Sequence, residues 1–548
     1  MTLLALKEDR PTPKAVYNWR VYTCAAIASF ASCTIGYDSA FIGTTLALPS
    51  FTKEFDFASY TPGALALLQS NIVSVYQAGA FFGSLFAFAT SYFMGRRKSL
   101  IAFSIVFIIG AAIMLAADGQ SRGIAPIIAG RVLAGIGVGG ASNMVPIYIS
   151  ELAPPAVRGR LVGIYELGWQ IGGLVGFWIN YGVNNTMAPM RSQWLIPFAV
   201  QLIPAGLLFL GSFWIPESPR WLFANGKREE AMKVLCWMRN LEPTDQYIVE
   251  EVSYIDADLE RYAREVGKGF WKPFLSLKQR KVQWRFFLGS MLFLWQNGSG
   301  INAINYYSPT VFKSIGITGT NTGFLTTGIF GVVKTVLTII WLLWLVDLAG
   351  RRRMLFIGAA GGSLCMWFIG AYIKIAGPGS TKAEDAKLTS GGIAAIFFFY
   401  LWTAFYTPSW NGTPWVINSE MFDQNTRSLG QASAAASNWF WNFIISRFTP
   451  QIFLKMEYGV YFFFASLMLL SILFIYFFIP ETKSIPLEAM DRLFEIKPVA
   501  NANKILMAEL NFDRGGPERE ESSLDEKDRV TQRDRSLRST ACLRLQGS

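Results

Sequence analysis

Apolar stretches long enough to cross a bilayer recur twelve times along this chain. They lie near residues 21–45, 66–90, 99–117, 124–149, 161–183 and 194–215, then near 286–310, 322–346, 354–376, 391–419, 429–452 and 458–479. Such stretches permit few folds, because lipid offers backbone N–H and C=O groups no partner and a continuous apolar run satisfies them as a helix. The expected class is therefore an all-α polytopic membrane protein with twelve transmembrane helices. Composition agrees: 52 % of the residues are hydrophobic and 16 % are charged, too apolar for an ordinary soluble protein.

Several function classes fall away at once. The chain has no histidine, and its five cysteines (Cys24, Cys33, Cys236, Cys365 and Cys542) show no paired spacing. Neither a metal site nor a disulfide framework is expected, and a His-based triad is excluded. No nucleophile stands beside a base, so an enzyme is not expected, and no cofactor is. The excess of 49 basic over 38 acidic residues is read as cytoplasmic loops rich in Lys and Arg rather than as a nucleic-acid surface.

The polar intervals divide the chain. Residues 1–20 form a polar segment interrupted by Pro11 and Pro13, with no apolar core leading to a small-residue cleavage site, so no cleaved signal peptide is expected. Residues 21–215 then read as a first six-helix bundle, 216–285 as a charged middle loop with helical patterns at 227–240 and 250–265, and 286–479 as a second bundle. The tail, 480–548, is polar and is expected to be disordered beyond about residue 513. Arg96-Arg97-Lys98, Arg158 with Arg160, the middle loop and Arg351-Arg352-Arg353 share one side with both termini, and that side is expected to be cytoplasmic. Lys374, Lys382 and Lys387, interleaved with Glu384 and Asp385, are a mild exception on the other side. The sequon Asn184-Asn185-Thr186 also lies there, close to the membrane, and is read as unused.

The two halves repeat one another. Gly95-Arg96-Arg97 recurs as Gly350-Arg351-Arg352 at an offset of 255, and Ser150-Glu151 with Arg158 recurs as Ser419-Glu420 with Arg427 at an offset of 269. Pro216-Glu217-Ser218 matches Pro480-Glu481-Thr482 at an offset of 264. Six spans per half with the same sidedness imply a parallel repeat about an axis along the membrane normal, with binding near the midplane and alternating access.

One apolar span carries an unusual load of amides. Between Leu292 and Pro309 stand Gln296, Asn297, Asn302 and Asn305, with Gly298 and Gly300 among them. Side chains of this kind at membrane depth face a protein interior or a wet cavity, and glycines let the helix loosen where a solute approaches. Donors and acceptors together suit a small solute bearing several hydroxyls. Two charges also need explaining inside the membrane: Asp38 in the first span and Arg131 in the Gly-rich fourth. Such a pair can change its protonation if the separation changes during transport.

Gly95-Arg96-Arg97, Pro216-Glu217-Ser218-Pro219-Arg220, Asp347-Leu348-Ala349-Gly350-Arg351-Arg352 and Pro480-Glu481-Thr482-Lys483 together resemble the sugar porter family of the major facilitator superfamily, over roughly residues 20–490. Within that family the chain is similar to the fungal quinate permeases through Glu8-Asp9-Arg10-Pro11-Thr12-Pro13-Lys14, Gly36-Tyr37-Asp38-Ser39-Ala40-Phe41-Ile42-Gly43 and Trp295-Gln296-Asn297-Gly298-Ser299-Gly300-Ile301-Asn302. The resemblance implies import of quinate, a cyclohexane polyol carboxylate, across the plasma membrane with proton symport, supplying its catabolism. A hexose or other polyol carrier, symporter or facilitator, is the alternative. A non-transporting nutrient sensor would be expected to carry a long interaction tail, whereas the stretch after Pro480 is short and motif-poor.

The resemblance also assigns residues. Asp38 and Arg131 correspond to the family's proton-coupling pair, the alternative being a structural salt bridge in a facilitator. Glu166, with Gln170 one turn on, stands where the family places a sugar-binding Gln. Lys334 is a second intramembrane charge: it pairs with Glu166, receives the quinate carboxylate, or snorkels along a crowded interface. Trp415 matches the aromatic that stacks on the sugar ring, and Asn438-Trp439 a polar-aromatic wall; Pro408 is displaced from the family's proline, so a kink gate there would hinge differently. Glu151, Glu217, Asp347, Glu420 and Glu481 are expected to pair with Arg96, Arg97, Arg158, Arg351, Arg352 and Arg427 across the cytosolic mouth, or else simply to anchor loops. Tyr92 replaces a family Asp, leaving more of the network to Asp347. Lysines between Lys227 and Lys281 are the expected acceptors if the ubiquitination machinery acts on the chain.

Overall fold

A computed structural model describes residues 12–513 apart from 155–156, 266, 268, 318–319, 346–348, 378–389, 423–425, 484 and 486–489. Twelve membrane helices account for most of it. The first six are α1 (Trp19–Thr45), α2 (Pro62–Met94), α3 (Arg96–Met114), α4 (Ala125–Leu152), α5 (Arg158–Thr186) and α6 (Arg191–Trp214). The second six are α7 in two arms (Arg280–Gly298 and Ile301–Ser314), α8 (Thr320–Ile340), α9 (Arg351–Ala376), α10 (Ser390–Met421), α11 (Arg427–Met456) and α12 (Gly459–Phe478). Among the described residues nine helices are long and apolar enough to span by hydropathy alone. The remaining three, α5, α7 and α11, carry the amides and charges that lower theirs.

Local sequence sets the helix ends. Asn18 caps α1 by accepting from the Arg20 N–H, and Thr61 caps α2 ahead of Pro62. Gly95 and Gly350, at φ +86° and +81°, make the sharp turns between α2 and α3 and before α9. Two helices are broken along their length. In α7 the chain turns at Gly300 (φ +90°), and the second arm leaves helical geometry again at Tyr307 ahead of Pro309. In α10 a wider π-type turn covers Thr407–Asn411, contains Pro408 and ends just before Gly412.

Small residues let the helices approach closely. A Cβ on Gly36 would sit 1.9 Å from the Trp169 carbonyl oxygen of α5, and one on Gly139 of α4 would sit 2.0 Å from the Ala80 carbonyl oxygen of α2. The first half buries a core around Ile35, Phe41, Tyr76, Trp194 and Phe198, and the second one around Leu288, Phe312, Phe399 and Trp402. The halves meet where α2 packs on α11, α5 on α8, and α1 on the second arm of α7.

The middle segment is more ordered than a charged loop suggests. Helices Pro219–Ala224, Arg228–Arg239 and Gln246–Glu265 bury Leu222, Leu235 and Ile248 together. They dock on the first half: Asn18 Nδ2 donates to the Met238 carbonyl at 2.8 Å, and Arg239 donates to the Leu152 carbonyl at 2.7 Å while gripping Glu251 through two bonds. Up to residue 513 the tail forms helices Met490–Glu495 and Ala502–Asp513 around a small core that includes Leu493 and Leu506. The expected disorder beyond 513, and Lys382, Glu384, Asp385 and Lys387, lie outside the described residues.

Gly43 offers a test of the contact between halves. A Cβ there would lie 2.0 Å from the Tyr306 carbonyl oxygen, whereas one on Gly206 meets nothing within 4 Å. Gly43→Ala is expected to cost about 1–3 kcal/mol and lower the melting temperature of the purified protein, with Gly206→Ala near neutral.

Candidate functional site

The Asp38–Arg131 pair sits where α1 crosses α4. Arg131 Nη1 donates to Asp38 Oδ1 at 3.1 Å, and both side chains are fully buried. The guanidinium lies 4.8 Å above the Tyr76 ring, while its Nε and Nη2 make no hydrogen bond among the described residues. A pair joined through one bond in a dry interior is easier to separate than a bidentate one.

Beside it, between the halves, lies an interior cavity lined by Ser39, Trp169, Gln170, Phe177, Asn305 and Lys334, among others. Its volume is about 20 Å³, room for little more than one water molecule. Lys334 is buried at 7 % exposure and lines this cavity, which overturns the snorkelling reading. Glu166 lies close enough for the two charges to interact, without an ion pair inside 4 Å among the described residues. The Glu166 carboxylate instead accepts from Gln170 Nε2 at 2.9 Å and, across the two halves, from Asn411 Nδ2 at 2.7 Å.

Sequence reasoning misses Asn411. An amide beside Gly412-Thr413-Pro414 in an otherwise apolar span is the available signal. Its position follows from the broken helix. Pro414 has no N–H for the Trp410 carbonyl, and the Trp415 N–H turns to Gly412, which leaves the Asn411 carbonyl free as well. Gln296 Nε2 takes both, at 2.9 Å and 2.8 Å, and so fastens α7 to the wide turn of α10.

The other amides form a chain. Asn302 donates to Asn297, and Asn297 to the Phe293 carbonyl at 2.8 Å and to Asn438 at 3.4 Å. Farther along α11, Asn442 donates to the Tyr306 hydroxyl at 3.3 Å, a contact between two residues that the sequence motifs do not mark. Trp439 stacks on Trp169 at 6.3 Å and donates to Ser142 Oγ at 3.1 Å, joining the halves. Trp415 packs edge-on against Phe293 at 4.7 Å and, like Gln296, Asn297, Asn302, Asn438 and Trp439, is not among the residues that line the cavity.

The charged motifs at the helix ends close differently from the sequence expectation. Arg96 grips Glu151 through two bonds, at 2.9 and 2.7 Å, and the backbone N–H groups of Arg96 and Arg97 converge on the Glu217 carboxylate at 2.7–3.1 Å. The second half repeats this: Arg351 donates to Glu420 at 3.1 Å, and the N–H groups of Arg351 and Arg352 donate to Glu481 at 2.8 and 3.1 Å. Each of these bonds lies within one half, so the described pairs do not reach across the mouth. The reason is local: a carboxylate facing the first free N–H groups of a helix is held there by them and by the helix dipole. Gly95 and Gly350 leave room for it, since a Cβ would come within 2.5 and 2.6 Å of the Glu217 and Glu481 oxygens. The side chains of Arg158 and Arg427, and residue Asp347, lie outside the described residues.

Twelve membrane helices in two similar halves, enclosing a polar cavity between them, define a secondary transporter, and the chain belongs to the sugar (and other) transporter family, whose model matches residues 24–494. This is a family of multi-pass membrane transporters, not enzymes. Among the relatives, a quinate permease of Neurospora terricola is 95 % identical over 98 % of this chain and 100 % of its own. A probable quinate permease of Aspergillus terreus is 63 % identical over 94 % of each chain. The proton:xylose symporter XylE bound to 6-bromo-6-deoxy-D-glucose shares the fold with a TM-score of 0.71 and 28 % identity, over 86 % of this chain and 99 % of that one. The inward open conformation of XylE from E. coli gives 0.69 at 26 % identity, over 86 % and 100 %.

Gln296→Leu should expose the importance of the α7–α10 fastening. Two buried carbonyls lose their donor, which is expected to cost about 1–3 kcal/mol, read as a lower melting temperature of the purified protein.

Proposed function

We propose that this chain imports quinate across the plasma membrane by alternating access, coupled to proton symport. The observation that carries this reading is a buried cation, Lys334, lining a cavity between the halves together with the amides Gln170 and Asn305. A polyol alone would need only the amides; a carboxylate also needs a positive partner. In this reading Lys334 receives the quinate carboxylate, and Gln170, Gln296, Asn297, Asn302, Asn305 and Asn438 serve its hydroxyls. Trp415 and Trp439 supply aromatic wall, and Glu166 holds Gln170 and Asn411 in place until the halves move. The similarity to quinate permeases supports the substrate, and the similarity to XylE, a proton:xylose symporter, supports the coupling.

A cavity of about 20 Å³ excludes a substituted cyclohexane, so binding in this reading requires the halves to rock apart. Asp38 is the coupling acid, its single bond to Arg131 opening and closing in the cycle. The clamped helix ends, built from Arg96, Glu151, Glu217, Arg351, Glu420 and Glu481, act as a gate by making each half one body rather than by latching the halves together. Residues 21–215 and 286–479 form those bodies, joined by 216–285. The basic face and both termini are cytoplasmic.

Uptake of labelled quinate and glucose into proteoliposomes, with and without an inward proton gradient, tests this. Gradient-dependent accumulation of quinate is expected for the wild type, and Asp38→Asn should abolish accumulation. Lys334→Met should raise KM for quinate about 10-fold or more, the loss of one charge-assisted bond. Equilibration without accumulation would mean a facilitator, and glucose uptake in place of quinate would overturn the substrate.

A further inference from the structure

On the basic face α2 and α11 part from one another. Between them lies a lateral crevice of about 590 Å³, walled by apolar side chains that include Leu85 and Phe88 of α2 and Ala432 and Phe440 of α11. Its rim is the short stretch Phe270–Phe274, where Trp271 is 74 % exposed. Among the described residues the ring contacts that tie this stretch to the bundle are with α2: Phe270 lies 5.5 Å from Phe88 and 5.2 Å from Phe93, and Phe274 lies 5.2 Å from Phe88. The rim therefore moves with the first half, while the opposite wall belongs to the second.

Charge says what fits there. Residues 266–285 contain six Lys or Arg and no Asp or Glu, interleaved with Phe270, Trp271, Phe274 and Trp284. Lys281 is paired with Glu495, but Lys272, Lys278 and Arg280 are exposed and in no ion pair among the described residues. Aromatic and basic residues in alternation beside an apolar opening fit the boundary between acyl chains and anionic headgroups.

We propose that the α2–α11 crevice binds one anionic phospholipid from the leaflet on the basic face. An acyl chain lies between α2 and α11 under Phe270 and Trp271, and the phosphate is met by Lys272, Lys278 and Arg280. Because its walls belong to different halves, the occupant favours the conformation in which they are apart on this face. The proposal is independent of which solute is carried.

Native mass spectrometry and thermal unfolding of the full-length protein test it, with phosphatidylserine and phosphatidylcholine of the same acyl chains as probes. The wild type is expected to retain phosphatidylserine about fivefold or more over phosphatidylcholine and to melt several degrees higher in its presence. The triple variant Lys272→Gln, Lys278→Gln and Arg280→Gln should bring both lipids to parity, and Ser433→Trp, which fills the crevice, should remove the adduct. If Ser433→Trp does not fold, the triple variant still decides, since it alters only exposed residues. Equal retention of the two lipids by the wild type, or an undiminished preference in the triple variant, would overturn the proposal. So would crosslinks showing the crevice filled by residues 514–548 or by a second copy of the chain.

Discussion

A charge or amide at membrane depth has no water to bind, and the rest of this structure depends on how each one finds a partner inside the protein. The demand is met sparingly, and Arg131 keeps Nε and Nη2 without a hydrogen bond among the described residues. Gln296 serves two carbonyls that the break in α10 would otherwise strand, and Glu166 takes one donor from its own helix and one from the opposite half. Broken helices are thus possible here only because side chains replace the missing backbone bonds. One of these contacts also reaches the cavity: Glu166 holds Gln170, which lines it, and Asn411 at the wide turn of α10.

Rigidity and softness are distributed accordingly. Within each half, glycine seams bring backbones together, and the Glu217 and Glu481 carboxylates clamp the starts of α3 and α9. Between halves, Gly43 packs closely on Tyr306, and side chains add hydrogen bonds such as Asn411 to Glu166, Trp439 to Ser142 and Gln451 to Ser70, with ring stacking. Individually such bonds are worth about 0.5–1.5 kcal/mol, a scale on which a two-state equilibrium can be biased and reversed. Hydrogen bonds closed within each half favour motion of the halves as bodies. The Glu217 and Glu481 carboxylates take the N–H groups at the starts of α3 and α9, and none of these bonds joins the two bundles.

Much is legible in the amino-acid order. The twelve spans follow from apolar length, because lipid permits little besides helices, and the internal offsets of 255–269 residues show the two-fold repeat. The amides of α7, Asp38, Arg131 and Lys334 stand out because polar groups in apolar runs need a reason. The order of residues does not show which of them meet. That Glu166 turns to Asn411 rather than closing on Lys334, that Arg96 and Arg351 bind acids of their own half, and that Trp415 stands off the cavity all depend on how helices cross. The physical reason is the range of the interactions. Hydropathy and helix breaking act over a turn or two of chain, whereas a hydrogen bond between α5 and α10 joins residues 245 apart and is decided by packing alone.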